Sequence, residues 1–268
     1  AVRGGEVHTG LLGAFNLSNL LATAGTLALL GMPWTRVMHQ IESTHAVPGR
    51  MRCLGGERNQ PVVVVDYAHT PDALAQALTA LRSHLHGRLV CVFGCGGDRD
   101  RSKRPIMAEV AARGSDITIA TSDNPRTENP QQILDDVRVG LARVHEREWS
   151  RADARVDTGR GYVVIEDRRE ALEFAVSLLR RGDLLLVAGK GHEDYQEIEG
   201  VRHHFAKLFP HLGGEPVDRM IIHIVGKPYV IHVFKFFYLS LLTLDIAIIL
   251  DSHLHFFGDR LFCMPELG

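Results

Sequence analysis

Five short apolar runs, each followed by an amphipathic or polar stretch, constrain this 268-residue chain more than any other feature. The runs are Pro61 to Val65, Arg88 to Phe93, Ile117 to Thr121, Tyr162 to Ile165 and Leu184 to Ala188. They are continuous or nearly so rather than alternating, the pattern of parallel strands covered on both faces. Between them the apolar spacing predicts helices over 72–85, 103–113, 130–144 and 168–180. Thr70 before Pro71 and Asn129 before Pro130 each set a capping side chain ahead of a proline at the first helical position. Strands and helices in this alternation specify an α/β fold, a Rossmann-like, mostly parallel open sheet with right-handed crossovers. Such sheets bind ligands beyond the carboxyl ends of their strands, so the segments found there are where function is sought.

Those segments are polar and flexible. Asp66-Tyr67-Ala68-His69-Thr70-Pro71 follows the first run, and Gly94-Cys95-Gly96-Gly97-Asp98-Arg99-Asp100 follows the second. Ser122-Asp123-Asn124-Pro125-Arg126 follows the third, and Gly189-Lys190-Gly191-His192-Glu193-Asp194 the last. Two phosphate-binding patterns fail here: a dinucleotide fingerprint needs glycine where Arg99 stands, and a phosphate loop ending at Lys190 needs glycine at 184 and Ser or Thr at 191, where Leu184 and Gly191 are found. The remaining charges suit a small zwitterion. Arg99 and Arg126 offer planar forks to carboxylates, while Glu193 and the carbonyls around Asn124 and Gly189 can accept from an ammonium. The residues alone leave a plainer alternative open, in which Arg99 pairs with Asp98 or Asp100 at the surface and Asp123-Asn124-Pro125 is only a turn. His69 and His192 are read as capping backbone groups rather than holding a metal, and Cys95 as structural rather than nucleophilic.

Composition narrows the classes. Thirty Lys and Arg against 32 Asp and Glu leave a formal charge of -2, which offers no field for nucleic acid. Cys53, Cys91, Cys95 and Cys263 lack paired metal-ligand spacing and are read as reduced thiols, which points to the cytoplasm. No secretory signal pattern opens the sequence and it does not start with Met, so it is expected to begin within a longer protein. Residues 11–32 read as an apolar helix, and His145 to Arg155 as a solvated helix end and loop. The tail after residue 204 abandons the alternation. Its apolar run Phe236 to Leu250 is shorter than a membrane span and contains Asp245, so no membrane partner is expected.

Taken together, Leu12 through Leu21, Pro48-Gly49-Arg50-Met51, Asp66 through Pro71, Phe93 through Pro105, Asp123-Asn124-Pro125-Arg126 and Gly189 through Gln196 resemble the Mur ligases, and within them the diaminopimelate-adding MurE family. The resemblance runs over residues 11–204. It implies that 1–46 are the end of a central ATPase domain, that 47–204 form the Rossmann-like C-terminal domain, and that 205–268 are an atypical apolar tail, read as frameshifted or fused sequence. It implies an ATP-dependent amide-bond ligase of peptidoglycan biosynthesis that joins meso-2,6-diaminopimelate to UDP-MurNAc-L-Ala-D-Glu through an acyl phosphate, with Mg2+. By resemblance Asn16, Asn19, Arg50 and Asp66 contact ATP, and Arg99, Asp123, Asn124, Pro125, Arg126, Gly189 and Glu193 contact diaminopimelate. The family's phosphate loop, magnesium ligands and carbamylated lysine are not in this sequence, so the chain is expected not to turn over ATP by itself, and its catalytic residues stay unassigned. Two alternatives remain: a non-catalytic amino-acid-binding remnant, or another ligase of the superfamily such as a folylpolyglutamate synthetase.

Overall fold

The computed structural model describes residues 5–56, 60–145, 147–204, 229–233, 255–257 and 260–262. The chain divides into two compact units, residues 1–45 with 225–268, and residues 46–224. The first contains strand β1 (Gly5–Thr9) and helices α1 (Ala14–Leu29) and α2 (Trp34–Glu42). Leu17, Leu20, Leu21, Ala24 and Leu27 recur at helical intervals along α1 and pack with Val7, Val37 and Ile41. The helix expected over 11–32 is thus trimmed at both ends. Gly13 and Gly31, at φ 92° and 84°, stand just outside it in a conformation that a helix cannot continue.

The second unit is built on a six-stranded sheet. Its strands are β2 (Arg52–Gly55), β3 (Val62–Asp66), β4 (Leu89–Cys95), β5 (Ile117–Ser122), β6 (Gly161–Val164) and β7 (Leu184–Ala188), in the order β2-β3-β7-β4-β5-β6. Every neighbouring pair is parallel except β2 with β3. Every residue of β4, β5 and β7 is buried, as strands covered on both faces must be. Helices α3 (Pro71–Arg82), α4 (Lys103–Gly114) and α5 (Pro130–Leu141) form one contiguous layer over β7, β4 and β5. After the short α6 (Asp153–Val156), helix α7 (Arg168–Leu178) covers the face that carries Val63, Val92, Ile119, Val163 and Leu185, and Trp149 packs into the same core.

Trp149 corrects the expectation of a solvated loop from His145 to Arg155: it is 7% exposed and its amide donates to Tyr162 O at 2.8 Å. The charges around it conceal one apolar anchor. The predicted helix starts hold, with Thr70 Oγ1 accepting from Ala73 N at 3.3 Å and Asn129 Oδ1 from Gln131 N at 2.9 Å. Asp167 caps α7 by accepting from Glu170 N at 2.8 Å. Replacing Asp167 with Ala is expected to lower stability by about 1 kcal/mol in urea unfolding, with an unchanged slope.

A hairpin that the sequence reading did not foresee, β8 (Tyr195–Ile198) and β9 (Val201–His204), closes the second unit. Its two turn residues, Glu199 and Gly200, both have positive φ, 51° and 77°, as a type I′ turn requires. The remaining described strands are β10 (Tyr229–Val233), β11 (His255–Phe257) and β12 (Arg260–Phe262). In the first unit β10 pairs antiparallel with β1, and β11 with β12. Most of the tail read as frameshifted or fused, including Phe236 to Leu250 and Cys263, lies outside the described residues. Among the described residues no helix is long and apolar enough to cross a membrane.

Candidate functional site at the carboxyl edge of the sheet

Because β3, β7, β4 and β5 run parallel and side by side, the loops that follow them emerge at one edge. Three of those loops are stitched together by a network centred on a residue absent from the sequence expectation, Lys190. It is 5% exposed. Its Nζ donates to Asn124 Oδ1 at 2.6 Å and lies 3.2 Å from Asp123 Oδ1 and 3.5 Å from Glu193 Oε2. Asn124 Nδ2 donates to Glu193 Oε2 at 3.2 Å, and Tyr67 Oη, from the loop after β3, donates to Glu193 Oε1 at 3.4 Å. Burial pulls the Lys190 ammonium below its ordinary range and Arg168 adds to this, while Asp123 and Glu193 oppose it.

Behind this network lies a second buried cation. Arg168, the first residue of α7, is 1% exposed; its Nη2 donates to Ala188 O at 2.9 Å, while Nη1 has no hydrogen-bond partner among the described residues. Burial lowers its pKa, and the carboxylates of Asp123 and Glu193 supply the opposing charge. A cation at a helix N-terminus works against the helix dipole, and here the charges of Asp123 and Glu193 favour it.

Arg126 stands at the rim of the same network. Its backbone adopts φ 55°, a conformation that costs a non-glycine residue about 1–3 kcal/mol. Two hydrogen bonds to the hairpin hold it there, Arg126 N to Glu197 O at 3.0 Å and Glu199 N to Arg126 O at 2.7 Å. Its Nη1 donates to Gly97 O at 2.7 Å. A Cβ on Gly96 would stand 2.9 Å from Arg126 Nη1 and 3.7 Å from Arg99 Cγ, so the side chains of both arginines flank this glycine. Gly97 is pressed so closely under the Pro125 carbonyl that no side chain fits. Arg99 itself is exposed. Gly189 needs its φ of 104° rather than space, since nothing lies within 4 Å of where a Cβ would be.

The structure thus brings Asp123, Asn124, Pro125, Arg126, Gly189 and Glu193 to one place and leaves Arg99 at its margin in solvent. Another residue missed by the sequence reading supports it from below. Arg104, 2% exposed on α4, donates to Glu128 Oε1 at 2.7 Å, Asp136 Oδ2 at 2.8 Å and Gly96 O at 3.2 Å. Its distance in sequence from both acids hides it from any local pattern. Nearby, Ser122, Arg151, Glu166, Asp167, Glu170 and Gln196 line part of a cavity of about 410 Å³.

The residues assigned to ATP by resemblance are dispersed over the two units. Asn16 and Asn19 lie on α1, where Asn16 Nδ2 donates to Leu12 O at 2.7 Å and Asn19 Nδ2 to Asn16 Oδ1 at 3.3 Å. In the second unit Asp66 is 8% exposed and each of its oxygens accepts a backbone N–H, from Met51 and from Ala68, both at 2.8 Å. Asp66 therefore shapes the loop, whereas the exposed guanidinium of Arg50, stacked 4.7 Å from the centroid of the Tyr67 ring, is free to meet an anion. Among the described residues no group of three His, Cys, Asp or Glu side chains is placed to hold a metal ion. His69 Nδ1 makes a 2.8 Å hydrogen bond with Tyr67 O, a backbone cap. Burial pushes the Cys95 thiol up to about 12, with the Asp123 charge adding to it, so it is no nucleophile at neutral pH.

A mostly parallel sheet with acids, an amide and two buried cations gathered at its carboxyl edge defines an α/β domain with a polar candidate site. Residues 49–191 match the family model described as Mur ligase, glutamate ligase domain. The chain belongs to the Mur ligase family. It is 49% identical over 198 residues to a protein of Pseudomonas putida (strain KT2440) named UDP-N-acetylmuramoyl-L-alanyl-D-glutamate--2,6-diaminopimelate ligase, covering 74% of this chain and 37% of the relative. It is 46% identical over 205 residues to a protein of the same name from Synechococcus sp. (strain WH7803), covering 75% and 38%. A solved structure of a ligase bearing that name superposes with a TM-score of 0.53 at 43% identity, over 74% of this chain and 38% of that one. The chain therefore spans well under half the length of these relatives.

Proposed function

We propose that this chain carries the amino-acid-receiving domain of an ATP-dependent acid–amino-acid ligase, which joins meso-2,6-diaminopimelate to UDP-MurNAc-L-Ala-D-Glu in cytoplasmic peptidoglycan synthesis. Residues 47–204 are assigned to that C-terminal domain and 1–46 to the end of the ATPase domain. The observation that carries the reading is the partly buried Asp123-Asn124-Lys190-Glu193 network with the Arg126 fork at its rim. The network supplies an acceptor for a ligand ammonium at Glu193, and Arg126 supplies the planar donor for a carboxylate. An amino acid held by both ends is oriented, which lets its remaining amine meet an activated carboxyl group in a productive geometry. ATP, when bound, supplies the phosphoryl group that activates that carboxyl; of the two ATP candidates in the second unit, Arg50 and Asp66, Arg50 is the one with a cation to offer it. The sequence holds no phosphate loop, and this chain alone is expected to bind without turnover.

Calorimetry with meso-2,6-diaminopimelate, combined with a phosphate-release assay in the presence of ATP and magnesium, tests this. Saturable binding without phosphate release is the expected result, and absence of binding at millimolar ligand would defeat the assignment. The remnant reading predicts the same for this chain, and the two part only when the complete relative is assayed.

A further inference from the structure

Asn124 is the one neutral side chain at the centre of a charged cluster, and its amide could in principle stand in either of two orientations of nearly equal shape. Its surroundings allow one. Oδ1 accepts from Lys190 Nζ at 2.6 Å and from Glu197 N at 3.0 Å. Turning the amide over would set its NH2 group against an ammonium and a backbone N–H, both donors. With Oδ1 so held, Nδ2 faces Glu193 Oε2 at 3.2 Å. Lys190 has nowhere else to go: it is 5% exposed, Asp123 and Glu193 flank its ammonium, and the Tyr195 ring centroid lies 5.7 Å away.

We infer that Lys190 is a positioning residue of the amino-acid site: its ammonium locks the Asn124 amide so that Nδ2 holds Glu193 in place as the acceptor for the ligand's ammonium. The second half rests on the function proposed above; the first does not. One consequence concerns the acceptors named from sequence. Asn124 Oδ1 is already filled by two donors, whereas among the described residues the hydrogen bond to Glu193 Oε1 is the 3.4 Å one from Tyr67 Oη, so of these two side chains Glu193 is the one open to the ligand's ammonium. A second consequence concerns charge. The titratable or charged groups that face Glu193 are Lys190 on its own loop, Asp123 after β5, Tyr67 after β3 and Arg168 on α7. Removing the Lys190 charge leaves the Asp123 and Glu193 carboxylates without the cation that lies 3.2 and 3.5 Å from them, and like charges sharing a site disfavour ionisation of both.

Two variants of the full chain separate these effects. Lys190→Met keeps the stem and removes both donor and charge; Lys190→Gln restores a donor without the charge. The first readout, free of any ligand, is the Asn124 side-chain NH2 pair in a 15N–1H spectrum, assigned by its loss in Asn124→Asp. In the native chain and in Lys190→Gln the pair should show two distinct, exchange-protected protons, and in Lys190→Met it should collapse toward the solvent-exposed position. The second readout is meso-diaminopimelate affinity from pH 5 to 9. Both variants should bind at least tenfold more weakly near pH 6, with the acid limb of the profile moved to higher pH. A folded Lys190→Met with the native Asn124 signal, or with native affinity at every pH, overturns the inference. Should Lys190→Met not fold, Lys190→Gln decides through the acid limb alone, and an unmoved limb overturns it. If the native chain binds no diaminopimelate, the function assigned above falls, and the amide signal still decides whether Lys190 positions Asn124.

Discussion

Arg126→Ala is expected to weaken meso-diaminopimelate binding by about 1.5–3 kcal/mol, roughly 10- to 150-fold, the range for hydrogen bonds to a charged group. Lysine, which lacks the second carboxylate, should bind the native chain weakly and be almost unaffected by the change. The reason lies in what a guanidinium loses when a ligand without the matching carboxylate takes its place: a site built around a charged donor rejects the analogue that leaves it unpaired. Arg126→Lys retains the charge and loses the planar fork, so it should fall between the two. The strained backbone gives a further control. Arg126→Gly relieves the φ of 55° while removing the side chain. It should therefore be at least as stable as Arg126→Ala and bind equally poorly. Calorimetry on the three variants, with thermal unfolding alongside, reads all of this. Equal affinity for diaminopimelate and lysine in the native chain would remove Arg126 from the specificity argument.

The largest stability loss is expected at Arg104. Its side chain is 2% exposed and holds Glu128 and Asp136 at 2.7 and 2.8 Å, so Arg104→Ala takes a donor from two carboxylates and from the Gly96 carbonyl, leaving Glu128 with Asp98 N and Asp136 with the exposed Arg101. Breaking a buried ion pair from one side costs about 3–5 kcal/mol, and the lower end applies because the two acids are 22% and 23% exposed. The pH dependence follows in sign. The hydrogen bond from Arg104 holds the Glu128 carboxyl below its usual range. At Asp136 burial acts upward but is outweighed by Arg101 and Arg104. Stability from acids with depressed pKa values is present above the unfolded carboxylate range and is lost as pH falls through the folded values. The native chain should thus lose this increment in acid, and Arg104→Ala should lack that part of the acid limb. Urea unfolding at several pH values measures it; a loss under 1 kcal/mol at neutral pH would show the network to be dispensable.

The parallel core was legible because strands buried on both faces must be unbroken apolar runs, and β4, β5 and β7 are buried at every residue. The candidate site was legible in outline for a related reason. In an open parallel sheet the loops after the strands share one edge, so Asp123-Asn124-Pro125-Arg126 and Gly189 through Glu193 were expected at the same edge, although β4 lies between the strands they follow. What stayed hidden is held by long-range charge. Lys190, Arg104 and Arg168 look like surface cations in sequence, whereas the fold brings acids into ion pairs with Lys190 and Arg104 and sets the Ala188 carbonyl against Arg168, partners that a buried cation needs. The β8–β9 hairpin was hidden by its surface character: all four residues of β9 are exposed, and its turn carries Glu199-Gly200 in place of the usual Asn-Gly.

The central claim is that three neighbouring loops form one amino-acid site. Titrating 15N-labelled chain with meso-2,6-diaminopimelate, and following backbone and side-chain amide shifts, tests it most directly. Saturable shifts should concentrate at Asn124 and Arg126 and at Gly189 through Glu193, with little change at Arg151 and Glu170, which line the adjoining cavity. Shifts centred on Arg151 and Glu170 that leave Lys190 and Glu193 untouched, or no saturable shift at all, would contradict it.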